Sequence, residues 1–306
     1  MAELSKDKFQ IIGCDNLDAE GMVRPSMTYW QDAWRRLKKN KVATLSMILL
    51  IIMVFMCLFG PFMTKFKFNI GDSSVLNQRP NGTHWFGTDS LGRDMFARIW
   101  VGGRVSIIIG FIGAIVDTVV GVTYGGISGY KGGLVDDIMM RIIEILGSIP
   151  YLVLVILMRC IINVSGLFPL ILAMTVTGWI GMARMVRGQI LQIKEQEYVL
   201  AAKALGADSS RIIAKHLVPN TLGIIIVEIT FDIPALIFGE AFLSFIGLGV
   251  RSPQTSWGAL ASAGQQQMMF YPYQLLFPSL AIAIIMLSFQ LFGDGLRDAL
   301  DPKLRQ

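Results

Sequence analysis

The chain has 306 residues, 53% of them hydrophobic and only 16% charged, with a formal net charge of +5 and a mean hydropathy of +0.56. Soluble domains carry about 25% charged residues, so the composition excludes an ordinary soluble enzyme and indicates an all-α protein embedded in a lipid bilayer. The positive balance does not imply a nucleic-acid partner, because the basic residues gather at the predicted membrane boundaries, where the positive-inside tendency accounts for them.

Residues 1–41 are polar, and the apolar run that follows comes too late for a cleaved signal peptide. Trp30, Ala33, Trp34 and Leu37 share a helical face beside Arg35, Arg36, Lys38, Lys39 and Lys41. That is the pattern of an interfacial helix on anionic lipid, and also of the charge cluster that orients a first span. Val42–Met63 is long enough to cross the hydrocarbon core. Residues 64–103 form a long mixed loop with turn signals at Asn81-Gly82 and Gly87. Within it, Asp89 or Ser90 is placed to cap a helix running through Arg93, Asp94 and Arg98 toward the next span.

The second span is Arg104–Tyr130, where Gly121, Gly125 and Gly129 leave one face almost bare for close packing, in this chain or on a partner chain. After Gly132-Gly133 comes a third span, Ile138–Ile162, kinked by Pro150. Residues 163–166 turn the chain into a fourth span, Leu167–Ala183. Arg184, Arg187 and Lys194 then mark an exit on the basic, cytoplasmic side. Thr221–Gly249, with Pro234 midway, is the fifth span. Residues 250–274 carry a single basic residue, Arg251, and Leu275–Phe292 is the sixth span. The expected organisation is a cytoplasmic segment 1–41, a six-helix transmembrane domain 42–296 with loop 64–103 outside and loop 184–220 inside, and a tail 297–306. Both termini are then cytoplasmic.

Loop 184–220 holds the most informative stretch. Tyr198, Ala201, Ala202 and Leu205 recur at helical spacing, and Gly206 permits the positive φ that ends a helix. Asp208 or Ser209 is placed to cap a second short helix with Ile212, Ile213, His216 and Leu217 on one side, which Pro219 is expected to end. Two short amphipathic helices outside the bilayer make a plug for a groove on a soluble partner. The alternative is a surface helix–turn–helix with no partner.

This stretch resembles the Glu-Ala-Ala loop of ABC importer permeases. Ala201, Ala202, Gly206 and Pro219 fall on the pattern, whereas Leu200, His216 and Val218 depart from it. Phe86-Gly87-Thr88-Asp89-Ser90-Leu91-Gly92-Arg93-Asp94 resembles a signature of the peptide/nickel branch, and Ser256-Trp257-Gly258-Ala259-Leu260 is similar to another segment of that branch. Residues 293–305 are similar to the C-terminal signature of the C subunit of oligopeptide/dipeptide permeases. The resemblance spans residues 30–306 and implies the six-helix fold of a type I importer permease. It also implies a coupling role for Tyr198, Leu200, Ala201, Ala202, Leu205, Gly206, Ala207, Asp208, Ile212, His216 and Pro219. The partners it implies are a second permease in a heterodimer, two ATP-binding subunits and an external peptide-binding protein. ATP and magnesium would sit on those subunits, since no Gly-Lys pair occurs here and a P-loop is absent. No cofactor and no catalytic or metal site is expected in this chain, and its membrane would be the bacterial plasma membrane.

Asp117, Glu144, Arg159, Glu228, Asp232 and Glu240 fall within or near predicted spans. A charge facing lipid at a helix centre costs about 2.5–3.5 kcal/mol, so these residues are expected to face the protein interior or a watery path. Glu228 and Asp232 lie four apart on one helix face. The two uses open to the set are a translocation path that favours a peptide's amino terminus and structural pairing. Three other functions stand beside the peptide importer: an importer of nickel or another small chelate, a proton-driven secondary carrier using Asp117, Glu228 and Asp232, and an intramembrane enzyme, for which no nucleophile–base pair speaks.

Overall fold

The computed structural model describes residues 28–162, 166–250 and 253–301. Cys14 and most of segment 1–41, Asn163 of the predicted turn, Arg251, and Pro302, Lys303 and Arg305 of the tail lie outside the described residues.

The described chain is a bundle of helices. A short helix α1 (Tyr29–Lys39) leads through the single residue Asn40 into α2 (Lys41–Phe59). Asn40 serves both: its N–H closes the last turn of α1, and its Oδ1 accepts the N–H groups of Val42 and Ala43 at 3.1 and 3.2 Å. After α2 come two single turns of 3-10 helix, Gly60–Phe62 and Ser73–Val75, and a long connection that enters α3 (Met95–Lys131), 37 residues in one piece. At 1.5 Å per residue this is about 55 Å, well beyond the ~30 Å hydrocarbon core. The nine residues before Arg104, expected as loop, are therefore the first turns of this helix. Arg104 lies alongside the end of α2 and donates to the last-turn carbonyls of Cys57 (2.5 Å) and Leu58 (2.7 Å).

Five described helical stretches are long and apolar enough to cross a membrane: Lys41–Phe62, Met95–Lys131, Leu167–Ile193, Ser209–Phe245 and Tyr273–Leu300. The expected third span is not a kinked helix but a broken one. α4 (Gly133–Gly147) and α5 (Tyr151–Ile162) meet at 82° around Ser148–Pro150, and counting them as one crossing brings the total to six. Pro150 has no N–H to give to the preceding turn, and its ring opposes a continuous helix there. The fourth span runs on as α6 (Leu167–Ile193), ten residues past Ala183, so Arg184 and Arg187 stand on the helix and not beyond it.

The glycine face of α3 packs within this chain, against α6. A Cβ at Gly121 would stand 2.6 Å from Met182 Cβ, one at Gly129 3.0 Å from the Arg187 carbonyl, and one at Gly125 would overlap the Ala183 carbonyl. Backbones this close leave room for glycine alone. The pair is tied at the end near Lys131 by Arg187, which donates to Asp136 of α4 at 2.6 and 2.5 Å, while Ser128 of α3 donates to the same carboxylate and Lys194 to the Gly129 carbonyl at 3.1 Å.

Candidate functional site

The stretch between α6 and the fifth span folds as α7 (Glu197–Ala204), a turn, and α8 (Ser209–Ile212). Gly206 has φ +83° and closes α7: its N–H meets the Lys203 carbonyl, and the Ala207 N–H reaches back to Ala202 at 3.1 Å. This is the paired hydrogen-bond closure that a left-handed glycine permits. Asp208 takes the N-cap position of α8 by its backbone, but its side chain accepts no capping bond.

The second helix does not end at Pro219. α8 continues through a π turn, Ile213–Leu217, into α9 (Val218–Phe245), giving one rod from Ser209 to Phe245. The wider π turn keeps the Pro219 ring from pressing on the carbonyl four residues back. Asn220 Nδ2 donates to the His216 carbonyl at 2.5 Å beside it.

The two sides of α7 differ sharply. Val199, only 2% exposed, sits in a cluster with Ile212 and Leu217 of the α8–π segment, Val186 and Ile190 of α6, and Ile225 of α9. On the other side Tyr198, Leu200 and Leu205 are 44, 49 and 89% exposed, and Ala201 is exposed with them. Ala202, Ala207 and His216 are half-buried; Pro219 and Asp208 are exposed. The helical repeat seen in the sequence is therefore largely the uncovered face. The anchor, Val199, carries no signal in the sequence, because periodicity alone does not say which apolar face the chain itself covers.

At the opposite end, the nine-residue signature 86–94 is a hydrogen-bonded clasp. Asp89 Oδ1 accepts the N–H groups of Leu91 and Arg93, both at 2.9 Å, and its Oδ2 takes Arg93 Nε at 2.7 Å. Asp94, not Asp89 or Ser90, caps α3: its Oδ2 accepts Ala97 N–H at 2.9 Å while its Oδ1 pairs with His84 Nδ1 at 2.9 Å. Asp89 is occupied in folding its own loop. Gly92, at φ +71°, lies so close to the Asp72 carbonyl that a Cβ would overlap it. Ser74 donates its hydroxyl and N–H to Asp72 and holds that carboxyl below its ordinary pKa. Tyr273 and Gln274, at the start of α11 (Tyr273–Leu300), donate to the Thr88 carbonyl at 2.9 and 3.1 Å. The clasp thus ties the start of α3 to the start of α11.

Segment 250–274 contains a helix not expected from the sequence, α10 (Trp257–Gln266). Ser256 caps it, accepting Ala259 N–H at 3.1 Å. The Trp257 indole is fully enclosed and donates to the Ile99 carbonyl of α3 at 2.9 Å.

The six span charges separate into distinct settings. Glu240 is fully enclosed and accepts three serine hydroxyls: Ser244 and Ser256 at 2.6 Å and Ser106 at 3.2 Å. Arg159 is buried, not at the lipid surface, and donates to the Leu248 carbonyl at 3.2 Å. Glu144 is exposed on α4 and pairs with Arg141 at 3.1 Å. Asp117 is buried on α3 in a notch opened by Gly178 of α6, where a Cβ would overlap the carboxylate. Its Oδ1 accepts no hydrogen bond from the described residues. Asp232, half-buried on α9 one turn from Glu228, lies near enough to act electrostatically on Asp117, so these three carboxylates gather where α9 meets α3.

The family model described as the binding-protein-dependent transport system inner membrane component matches residues 121–306, and the N-terminal TM domain of oligopeptide transport permease C matches residues 28–80. This chain belongs to the binding-protein-dependent inner membrane components. Among its relatives, the oligopeptide transport system permease protein OppC of Bacillus subtilis is 47% identical over the whole of both chains. The dipeptide transport system permease protein DppC of the same organism is 50% identical over 95% of this chain and 91% of its own. Escherichia coli OppC is 41% identical over 95% of each. The inward-facing MetNI methionine ABC transporter aligns with TM-score 0.55 and 21% identity, covering 68% of this chain and 98% of that one, which shows a shared fold. The chain is a multi-pass permease component of such a system, and this membership replaces the secondary carrier and the intramembrane enzyme left open by the sequence.

Proposed function

We propose that this chain is one of two permeases in a heterodimeric importer of short peptides, driven by ATP-binding subunits that dock on α7 and fed by an external peptide-binding protein. The relatives named for oligopeptide and dipeptide transport support the substrate class. The observation that carries the coupling role is the two-sided α7: a helix anchored by Val199 to α6 and to the 209–245 rod, with Tyr198, Leu200, Ala201 and Leu205 left uncovered. A push on the uncovered side passes to two membrane-spanning helices, because the anchored side has no slack. Gly206 and Ala207 fix the angle between α7 and α8, and Ile212 and His216 stand behind them. In this reading residues 184–220 and both termini face the cytoplasm of a bacterial cell, following the concentration of Lys and Arg there.

The path itself is assigned to Asp117, Asp232 and Glu228. Carboxylates gathered among apolar helices favour a protonated amine, and a peptide supplies one at its amino terminus. Glu240 and Arg159, hydrogen-bonded between helices, hold the bundle together; Glu144 lies away from the trio on α4.

Purification in mild detergent followed by mass spectrometry tests the assembly. Recovery of a second permease and of chains with a Gly-x-x-x-x-Gly-Lys-Ser/Thr loop is expected; recovery of this chain alone, with peptide uptake in liposomes independent of ATP, overturns it. For the path, Glu228→Gln with Asp232→Asn should reduce peptide uptake at least about tenfold, the scale of one lost charge interaction in a low dielectric. Unchanged uptake removes the trio from the path.

A further inference from the structure

Helix α1 lies outside the first span and is not used by the coupling or path readings. It is a well-made helix. Thr28 accepts the Gln31 N–H, and the Gln31 side chain accepts the Thr28 N–H in return, a reciprocal cap. One face is seated on the protein: Ala33 and Leu37 are buried against Leu296, Ala299 and Leu300 of α11, and Tyr29 donates to the Leu300 carbonyl at 2.9 Å. The helix is thereby held level with the end of α11 and the start of α2, where the apolar spans stop.

The rest of its surface is open. Trp30 and Trp34 are about half exposed, as are Val42 and Leu45 in the first turns of α2. Lys38, Lys39 and Lys41 are exposed beyond them, with Lys38 Nζ 5.0 Å from the centre of the Trp34 ring. Indole rings favour the boundary between acyl chains and headgroups, and lysines next to them complement a negative surface.

We infer that this open side of α1 is a binding surface for anionic phospholipid, with Trp30 and Trp34 at the acyl boundary and Lys38, Lys39 and Lys41 on the phosphate headgroups. The occupant is a lipid and not a protein groove because α1 joins the apolar α2 through Asn40 and is seated on the last turns of α11, which puts its open, indole- and lysine-bearing side at the boundary where those spans stop. Each lysine near such a surface strengthens the association about fivefold.

The test uses the full-length chain with the subunits that co-purify with it, in nanodiscs of phosphatidylcholine containing brominated phosphatidylglycerol or, at equal fraction, brominated phosphatidylcholine. Subtracting the fluorescence of a Trp30→Phe, Trp34→Phe variant isolates the two α1 indoles. Stronger quenching by the anionic lipid is expected. The preference should fall about fivefold for each of Lys38→Gln, Lys39→Gln and Lys41→Gln, and should survive Lys→Arg changes at the same positions. Equal quenching by both lipids, or a preference that persists in the triple Gln variant, overturns the inference. Shielding of the indoles from both lipids gives the surface to a protein partner and also overturns it.

Discussion

The two ends of this molecule solve opposite problems. The clasp around residues 84–98 closes on itself: Asp89 folds the loop, Asp94 caps α3, and Tyr273 and Gln274 tie it to the last span. The α7 surface at the other end is anchored underneath by Val199 and left apolar and uncovered on top. Polar side chains with all their partners in one chain make a finished structure, whereas an apolar face held rigid without a cover is half of one. The difference separates residues that maintain the bundle from those that face a partner.

Breaking the clasp should have the largest effect on the fold. Asp94→Ala removes the cap of α3 and strands His84, and should lower stability by about 3 kcal/mol; denaturant or thermal unfolding of the purified chain checks this. Val199→Ala leaves a hole under α7 and should cost about 2 kcal/mol. Beyond the unfolding midpoint, ATP hydrolysis measured against peptide uptake should show more ATP consumed per peptide, because α7 loses its rigid seat. Gly206→Ala meets no neighbour, so its cost is the positive φ alone, about 1 kcal/mol. Gly206→Pro is incompatible with φ +83° and should uncouple the two activities altogether. Leu205→Ser should change stability by less than about 0.5 kcal/mol, yet reduce recovery of ATP-binding subunits in pull-downs. If Leu205→Ser destabilises the isolated chain as Val199→Ala does, the contrast between the two sides of α7 is lost.

The spans were legible in the sequence because lipid demands long apolar runs, and a four-residue glycine repeat announces close helix packing wherever it lies. The partner of that repeat was not legible: only the fold shows that Gly125 faces Ala183. The break at Pro150 was read as a kink, since a proline marks the place of a disturbance but not its angle. Asp89 and Ser90 look like caps in the sequence, and only the hydrogen-bond geometry shows that Asp94 takes that place. Pro219 looked like a helix end because local rules ignore the π turn that accommodates it. In the candidate site, Tyr198, Ala201 and Leu205 were readable as a helical face, but Val199 was not, since burial is a property of the assembled bundle. Among the span charges, the serine cradle around Glu240 draws on Ser106, more than a hundred residues away, which no local pattern could reveal.

The uninterrupted length of α3 has a mechanical consequence. From Met95 to Lys131 there is no proline and no break, although glycine is frequent, because α6, α9 and α10 hold it on several sides. A continuous rod of about 55 Å converts rotation into travel: a tilt of about 6° about one end moves the other by roughly 6 Å. Since one end is fastened to the clasp and the other lies against α6 through bare glycines, a tilt of α3 would move its far end without any local unfolding.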